Sequence, residues 1–447
     1  MRYFQPNPQP DGEAEPTPTD ASARAATNPL PAAVPGEQAR GPRGSWGSFA
    51  SGLAVILAGT AVVVLVIMNS GPKQKAPLPN PVSDGTNDPP KPTSLPPNPP
   101  QPARTDPDGK AAEWVLSIGG GVRVKTAAGV KGTSTPNTLP AEPFVVVGVY
   151  LQGSGDKVTD AGLEHFKHLK YVTELALEDT RITDAGLAHL SGLTELENLV
   201  LENTGITGAG LAHLNCFTKL TSLNLAKTPL SDAGLAHLGG LKNLRLLLLS
   251  RTQVTDTGLA HLKGLTDLKE LNLGYTKVTD TGLAHLRGLV GLTDLRLYHT
   301  EVTDAGLEHL NGMKDLRDLF LGNTKVADAG LRHLKGLTQL RFLGLTGTQM
   351  TDAGLAHLKE LPWLVSLCLR RTRVTNEGLE HLKGLPLLAS LYLDGTGITD
   401  AGLYHLDGCR NLKRLYLLET KVTEEGAEKL RQALPHCEIR LRDSPWK

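Results

Sequence analysis

From Val158 to Leu441 the apolar positions keep a fixed 24-residue beat. Val158, Ile182, Ile206, Leu230, Val254, Val278, Val302, Val326, Met350, Val374, Ile398 and Val422 open twelve successive units with no insertion between them. One unit, residues 254–277, reads VTDTGLAHLKGLTDLKELNLGYTK. Its Leu268, Leu271 and Leu273 are spaced LxxLxL, and the last two alternate with Asn272 as a short strand requires. Leu259 and Leu262 stand three apart after Asp256, whose carboxylate is placed to cap a short helix through its first free N–H groups. A unit with one apolar stripe cannot bury it alone, so consecutive units must stack. Parallel stacking predicts an α/β fold: a right-handed solenoid with a concave parallel β-sheet and convex short helices.

Three polar rows repeat with the same beat and invite over-reading. Thr276 and its counterparts Thr180, Thr204, Thr228, Thr252, Thr300, Thr324, Thr348, Thr372, Thr396 and Thr420 end the strands. Each is expected to donate to a loop carbonyl and to accept from the next unit's N–H, because a tight bend otherwise buries unpaired backbone. Gly258 has a counterpart in every unit from Gly162 to Gly426, as expected where neighbouring units approach too closely for a Cβ. The histidines from His165 to His405 also share one offset, between the two helix leucines. An open row at strand spacing does not converge on a ~2 Å ligand sphere, so packing and backbone hydrogen bonding are expected there, with no metal and no cofactor. His165 and His168 lack the HExxH pattern of a zinc helix.

Upstream the pattern changes. Residues 1–48 are rich in proline with almost no apolar run and read as a disordered tail. Phe49 to Met68 carries no charge over a stretch that spans ~30 Å as a helix, which predicts a transmembrane anchor. Residues 69–111 read as a Pro-rich linker, 112–157 as an N-terminal cap of the solenoid, 158–441 as the repeats and 442–447 as a tail. The corresponding localisation is a single-pass membrane protein with an extracytoplasmic repeat domain. Ala50, Ala54 and Ala58 give the span a small-residue row that supports a homo-oligomer through the membrane helix.

Composition then narrows the function classes. Lys+Arg and Asp+Glu both number 46, which excludes a strongly basic nucleic-acid binder and assigns no nucleic-acid partner. Cys216, Cys368, Cys409 and Cys437 form neither a CxxC pair nor a disulfide framework. Cys368 is placed on the concave side, out of reach of the convex histidines, so no nucleophile–base pair is assembled and no catalytic residue is assigned.

The LxxLxL strand with a TDAGLxHL helix resembles the leucine-rich repeat family, in the form where threonine replaces the usual asparagine after the strand. It is similar to repeat proteins of planctomycete bacteria, and more distantly to F-box-associated receptors and ribonuclease-inhibitor-like proteins. The resemblance covers about residues 112–441 and implies a non-catalytic binding scaffold. A membrane-anchored module taking a protein, peptide or glycan on its concave face is the leading expectation, with the lipid bilayer as a second partner through 49–68. An architectural envelope or surface spacer is the first alternative, and a substrate-recognition subunit of a ubiquitin-ligase-like complex the second, although residues 1–48 lack the apolar helices of an F-box. The position after each central strand leucine varies freely, and the aromatic and arginine residues Tyr298, Phe320, Arg370, Tyr392 and Tyr416 form the expected ligand surface.

Overall fold

The computed structural model describes residues 105–152 and 154–442. Asp106 opens helix α1 (Pro107–Ser117) by accepting from the N–H of Gly109, and proline supplies the first turn, where a missing donor costs nothing. Strands β1 (Gly121–Thr126) and β2 (Gly129–Thr133) pair antiparallel, and β3 (Val145–Tyr150) pairs antiparallel with β1. The helix thus begins within the stretch read from sequence as linker.

Twelve three-residue strands follow: β4 (Glu174–Ala176), β5 (Asn198–Val200), β6 (Ser222–Asn224), β7 (Leu246–Leu248), β8 (Glu270–Asn272), β9 (Asp294–Arg296), β10 (Asp318–Phe320), β11 (Phe342–Gly344), β12 (Ser366–Cys368), β13 (Ser390–Tyr392), β14 (Arg414–Tyr416) and β15 (Glu438–Arg440). They run parallel, in sequence order, in one open sheet of 15 strands that β1 and β2 close at its N-terminal end. Register follows the 24-residue beat, so Leu271 lies opposite both Leu247 and Leu295. The leucine stripes form one continuous core, in which Leu259, Leu262, Leu268, Leu271 and Leu273 are each 0% exposed. The convex elements are short: an α-turn Asp256–Leu259 runs directly into a 3-10 turn Ala260–Leu262.

The threonine row makes the expected bond to a carbonyl but, except at Thr420, none to the next unit among the described residues, and the aspartate at the start of the helix acts differently from expectation. All eleven threonine hydroxyls donate to the carbonyl three residues back in their own coil, as Thr276 does to Leu273 at 2.6 Å. The partner is local because the preceding residue turns the chain through the left-handed region: Tyr275 has φ 58°, and Gly347 and Gly395 fill that position in two coils. A non-glycine residue there costs roughly 1 kcal/mol, which the buried threonine bond helps offset.

Asp256 does not cap its own helix. Thr255 is the N-cap, and the Asp256 carboxylate reaches the next coil, accepting from Thr279 N at 2.7 Å and Thr279 Oγ1 at 2.6 Å. The same clamp joins Asp160 to Thr183, Asp232 to Thr255, Asp280 to Thr303, Asp328 to Thr351, Asp352 to Thr375 and Asp400 to Thr423. It also accounts for most of the glycine row. A Cβ on Gly258 would fall inside contact distance of the Asp232 carboxylate and 3.0 Å from Leu235 Cδ1. In the first coil Trp114 of α1 takes that place, 2.6 Å from a Cβ on Gly162, while its ring stacks on His165 and meets Phe166 edge-on.

The membrane reading requires correction. Among the described residues no helix is long and apolar enough to cross a membrane; α1, at 11 residues, reaches only about half the ~30 Å of a hydrocarbon core. Phe49–Met68, on which the anchor was placed, lies outside the described residues, as do the tail 1–48 and most of the Pro-rich linker. Single-pass topology, an extracytoplasmic repeat domain, the bilayer as partner and oligomerisation through a membrane helix are accordingly withdrawn.

Candidate functional site on the concave sheet

A three-residue strand turns its central leucine into the core and both flanking residues toward the concave side. Each strand therefore contributes two residues to the surface, whereas the sequence reading used the second, with Tyr298 and Arg370 two residues beyond it, and not the first. Phe342, Asp294, Asp318 and Arg414 occupy the overlooked first position, and period-two alternation alone was sufficient to find them.

The structure divides the five anticipated residues into groups. Tyr392 and Tyr416 lie on adjacent strands with stacked rings, centroids 4.6 Å apart and 10° between planes. The Arg370 guanidinium lies 4.8 Å from the Tyr392 ring and 5.8 Å from the Tyr416 ring, and pairs with Asp394. Arg440 covers Tyr416 from the other side at 5.4 Å, and Arg414 donates to Ser390 Oγ at 3.2 Å. Burial and the neighbouring Tyr416 push the Tyr392 hydroxyl above the usual phenol range, so it stays a neutral hydrogen-bond donor.

Phe320 forms a second aromatic wall with Phe342, centroids 4.5 Å apart, and the Arg296 guanidinium lies 5.3 Å from its ring. Tyr298, two residues beyond Arg296, accepts from Asn272 Nδ2 at 3.3 Å and meets Tyr275 edge-on. Between the two walls the register runs Phe320, Gly344, Cys368, Tyr392. The Phe342 and Phe320 rings lie over Gly344, and Ser366, Cys368 and Ser390 beyond it are small and buried, so they floor a trough between Phe342 on β11 and Tyr392 on β13, about two strand spacings, or ~10 Å, wide.

Beside the phenylalanine wall, Glu270, Asp294 and Asp318 stand in register on β8, β9 and β10. Arg296 binds Asp294 through two hydrogen bonds of 2.9 and 2.8 Å. Burial, then the charge of Asp294, push the Asp318 carboxyl up to about 6. Between pH ~4 and ~6 the folded chain thus holds a proton that the unfolded chain has lost, and stability falls as pH rises through that window. Asp318→Asn should therefore stabilise the protein by about 1–2 kcal/mol near neutral pH, after discounting for partial solvent screening, and by almost nothing near pH 4. Urea melts at both pH values check this; an equal effect at both would contradict the assignment.

The chemistry of the surface is that of contact. The Cys368 sulfur faces Thr346 Oγ1 at 3.1 Å, while the histidine row stays on the convex side. Burial pushes the Cys409 and Cys437 thiols up to about 11, and all four cysteines are free. Among the described residues no three His, Cys, Asp or Glu side chains are grouped to hold a metal ion.

The Leucine Rich repeat family matches the chain over residues 218–239 and 264–286. No curated protein matches the sequence. Among solved structures, an internalin from Listeria monocytogenes is similar at a TM-score of 0.54 and 22% identity, over 76% of this chain and 96% of that one. A Leptospira interrogans LRR protein gives 0.48 at 20% identity, over 63% and 74% of the two chains. The ectodomain of the plant receptor kinase GASSHO1/SCHENGEN3 from Arabidopsis thaliana gives 0.47 at 20% identity, over 67% of this chain and 39% of that one. The 24-residue lattice, the family match and the likeness to the internalin agree, and the protein is a leucine-rich repeat solenoid.

Proposed function

We propose that this protein is a non-catalytic recognition module that takes an extended protein or peptide segment in the concave trough between the Phe320–Phe342 and Tyr392–Tyr416 walls. The observation that carries this reading is the trough itself: two half-exposed aromatic pairs on either side of a floor of Ser366, Cys368 and Ser390. Aromatic and arginine side chains held rigid by stacking bind at low entropic cost, and a shallow open strip suits a chain lying across several strands better than a small cofactor. The putting together of Tyr298, Phe320, Arg370, Tyr392 and Tyr416 into one ligand surface belongs to this proposal. So does membership of the threonine-containing subtype that planctomycete repeat proteins carry, for which the eleven threonine bonds and the 24-residue period are the support.

The test is selection of binders from a random peptide library on the full chain, followed by affinity measurement. Tyr392→Ala combined with Tyr416→Ala should weaken the selected peptides by about 2 kcal/mol, roughly thirtyfold, with the melting temperature nearly unchanged. Unchanged affinity in the folded double variant, or loss on mutating the convex Lys335 instead, would place recognition elsewhere. Selective binding to a glycan array with no peptide selected would turn the reading to carbohydrate.

A further inference from the structure

The residues that precede the core leucine of each strand form one lane across the concave sheet, and its chemistry changes along the register. Three acidic residues on β8, β9 and β10 lead to Phe342 on β11, after which Ser366, Ser390 and Arg414 follow on successive strands. Beyond Phe342 the lane consists of hydrogen-bond donors short of an acceptor. Ser366 is only 6% exposed, faces the concave side because Leu367 faces the core, and its hydroxyl has no partner among the described residues. Ser390, 2% exposed, accepts from Arg414 Nε at 3.2 Å through its oxygen, which leaves its own proton to give. The two Nη groups of Arg414 meet no carboxylate among the described residues, because the acids near it are already held. Asp394 accepts from Arg370 and from Leu418 N, and Glu438, next in register to Arg414, pairs with Arg440.

A buried hydroxyl without an acceptor and a half-buried guanidinium without a counter-charge are both costly, and one entering group can relieve both. A neutral amide or hydroxyl would supply Ser366 with an acceptor but leave the Arg414 charge unopposed. A carboxylate does both, since its two oxygens accept from several donors at once and match the planar fork of an arginine. The Arg414 guanidinium already lies beside Ser390, so one carboxylate set over that serine comes within about a strand spacing of Ser366. An entering acceptor draws the Ser366 hydroxyl out by rotation about Cα–Cβ, among the staggered wells open to serine. On the far side of Phe342 the acid row repels the same group, so only one end of the trough takes it. We infer that the segment bound in the trough is acidic, with an Asp or Glu side chain entering between Phe342 and Arg414 and accepting from the Arg414 guanidinium and the Ser366 and Ser390 hydroxyls. This rests on the trough reading proposed above and adds to it the charge of the ligand and the end at which that charge sits.

The experiment uses peptides selected on the full chain from a random library, each made with blocked termini and also as an analogue whose Asp and Glu are changed to Asn and Gln. Selected sequences should be enriched in Asp and Glu, and the neutral analogue should bind about tenfold more weakly. On Arg414→Gln that difference should vanish, because the variant loses affinity for the acidic peptide alone. Tyr392→Ala combined with Tyr416→Ala should instead weaken both peptides alike. Ser366→Ala removes an unpaired hydroxyl, so its urea midpoint should be unchanged or higher while the acidic peptide binds about threefold more weakly. A folding defect would lower the midpoint and both affinities together, and would refute the role given to Ser366. Selected peptides without acidic enrichment, or an Arg414→Gln effect equal for the two peptides, would overturn the acidic ligand and leave the trough standing. A tyrosine double variant that binds both peptides normally, or a library that yields none, would remove the trough reading and this inference with it.

Discussion

Leu271→Ala is expected to lower the free energy of unfolding by about 2–5 kcal/mol, the range for a fully buried leucine whose cavity cannot collapse. Leu271 is 0% exposed, and its backbone pairs with Leu247 on one side and Leu295 on the other. The lattice on both sides is fixed by register, so neighbouring coils cannot close on the void without breaking strand pairing along the sheet. Thr276→Val in the same coil is the internal comparison. It keeps the volume but removes the donor to the Leu273 carbonyl, which costs about 1–2 kcal/mol. Urea denaturation of wild type and both variants, followed by circular dichroism, gives the order: leucine variant least stable, threonine variant between. Coincident midpoints would mean that this coil does not share the common core.

How much of this was legible before the structure depends on the range of each interaction. The strands, the sheet and the core were legible because Leu268, Leu271 and Leu273 state their own burial through spacing alone. The first concave position was equally available, since Phe342 and Arg414 flank the same leucines as Gly344 and Tyr416, and it was missed only because one flank was read. The left-handed bend at Tyr275 was not legible: glycine marks it only at Gly347 and Gly395, while nine other coils place an ordinary residue there. The trough arises from register, which sets two aromatic pairs three strands apart, a relation that no single repeat contains.

The aspartate clamp is the interaction most hidden from a linear reading, because donor and acceptor are 23 residues apart while a capping role within its own turn is the obvious local alternative. Asp256→Ala is expected to destabilise the protein by about 2–4 kcal/mol, since it removes two charge-assisted hydrogen bonds and leaves Thr279 N–H without its acceptor. Asp256→Asn should cost no more than about 1 kcal/mol. The chain contains that experiment already: Asn376 holds the equivalent site, its Oδ1 accepting from Thr399 N at 2.9 Å and its Nδ2 donating to Thr399 Oγ1 at 2.9 Å. Hydrogen-bond geometry, more than charge, is therefore what the clamp needs. Charge still leaves a signature, because the backbone N–H and then the hydroxyl of Thr423 hold the Asp400 carboxyl below the usual range. For a depressed carboxyl, stabilisation is present above the unfolded value and is lost as pH falls through the folded one. Asp400→Asn should accordingly flatten the acid limb of the stability curve slightly while leaving the neutral plateau nearly unchanged. Melts from neutral pH down to about pH 3 would show it, and an acid limb as steep as that of wild type would mean that carboxylates other than Asp400 set the acid sensitivity.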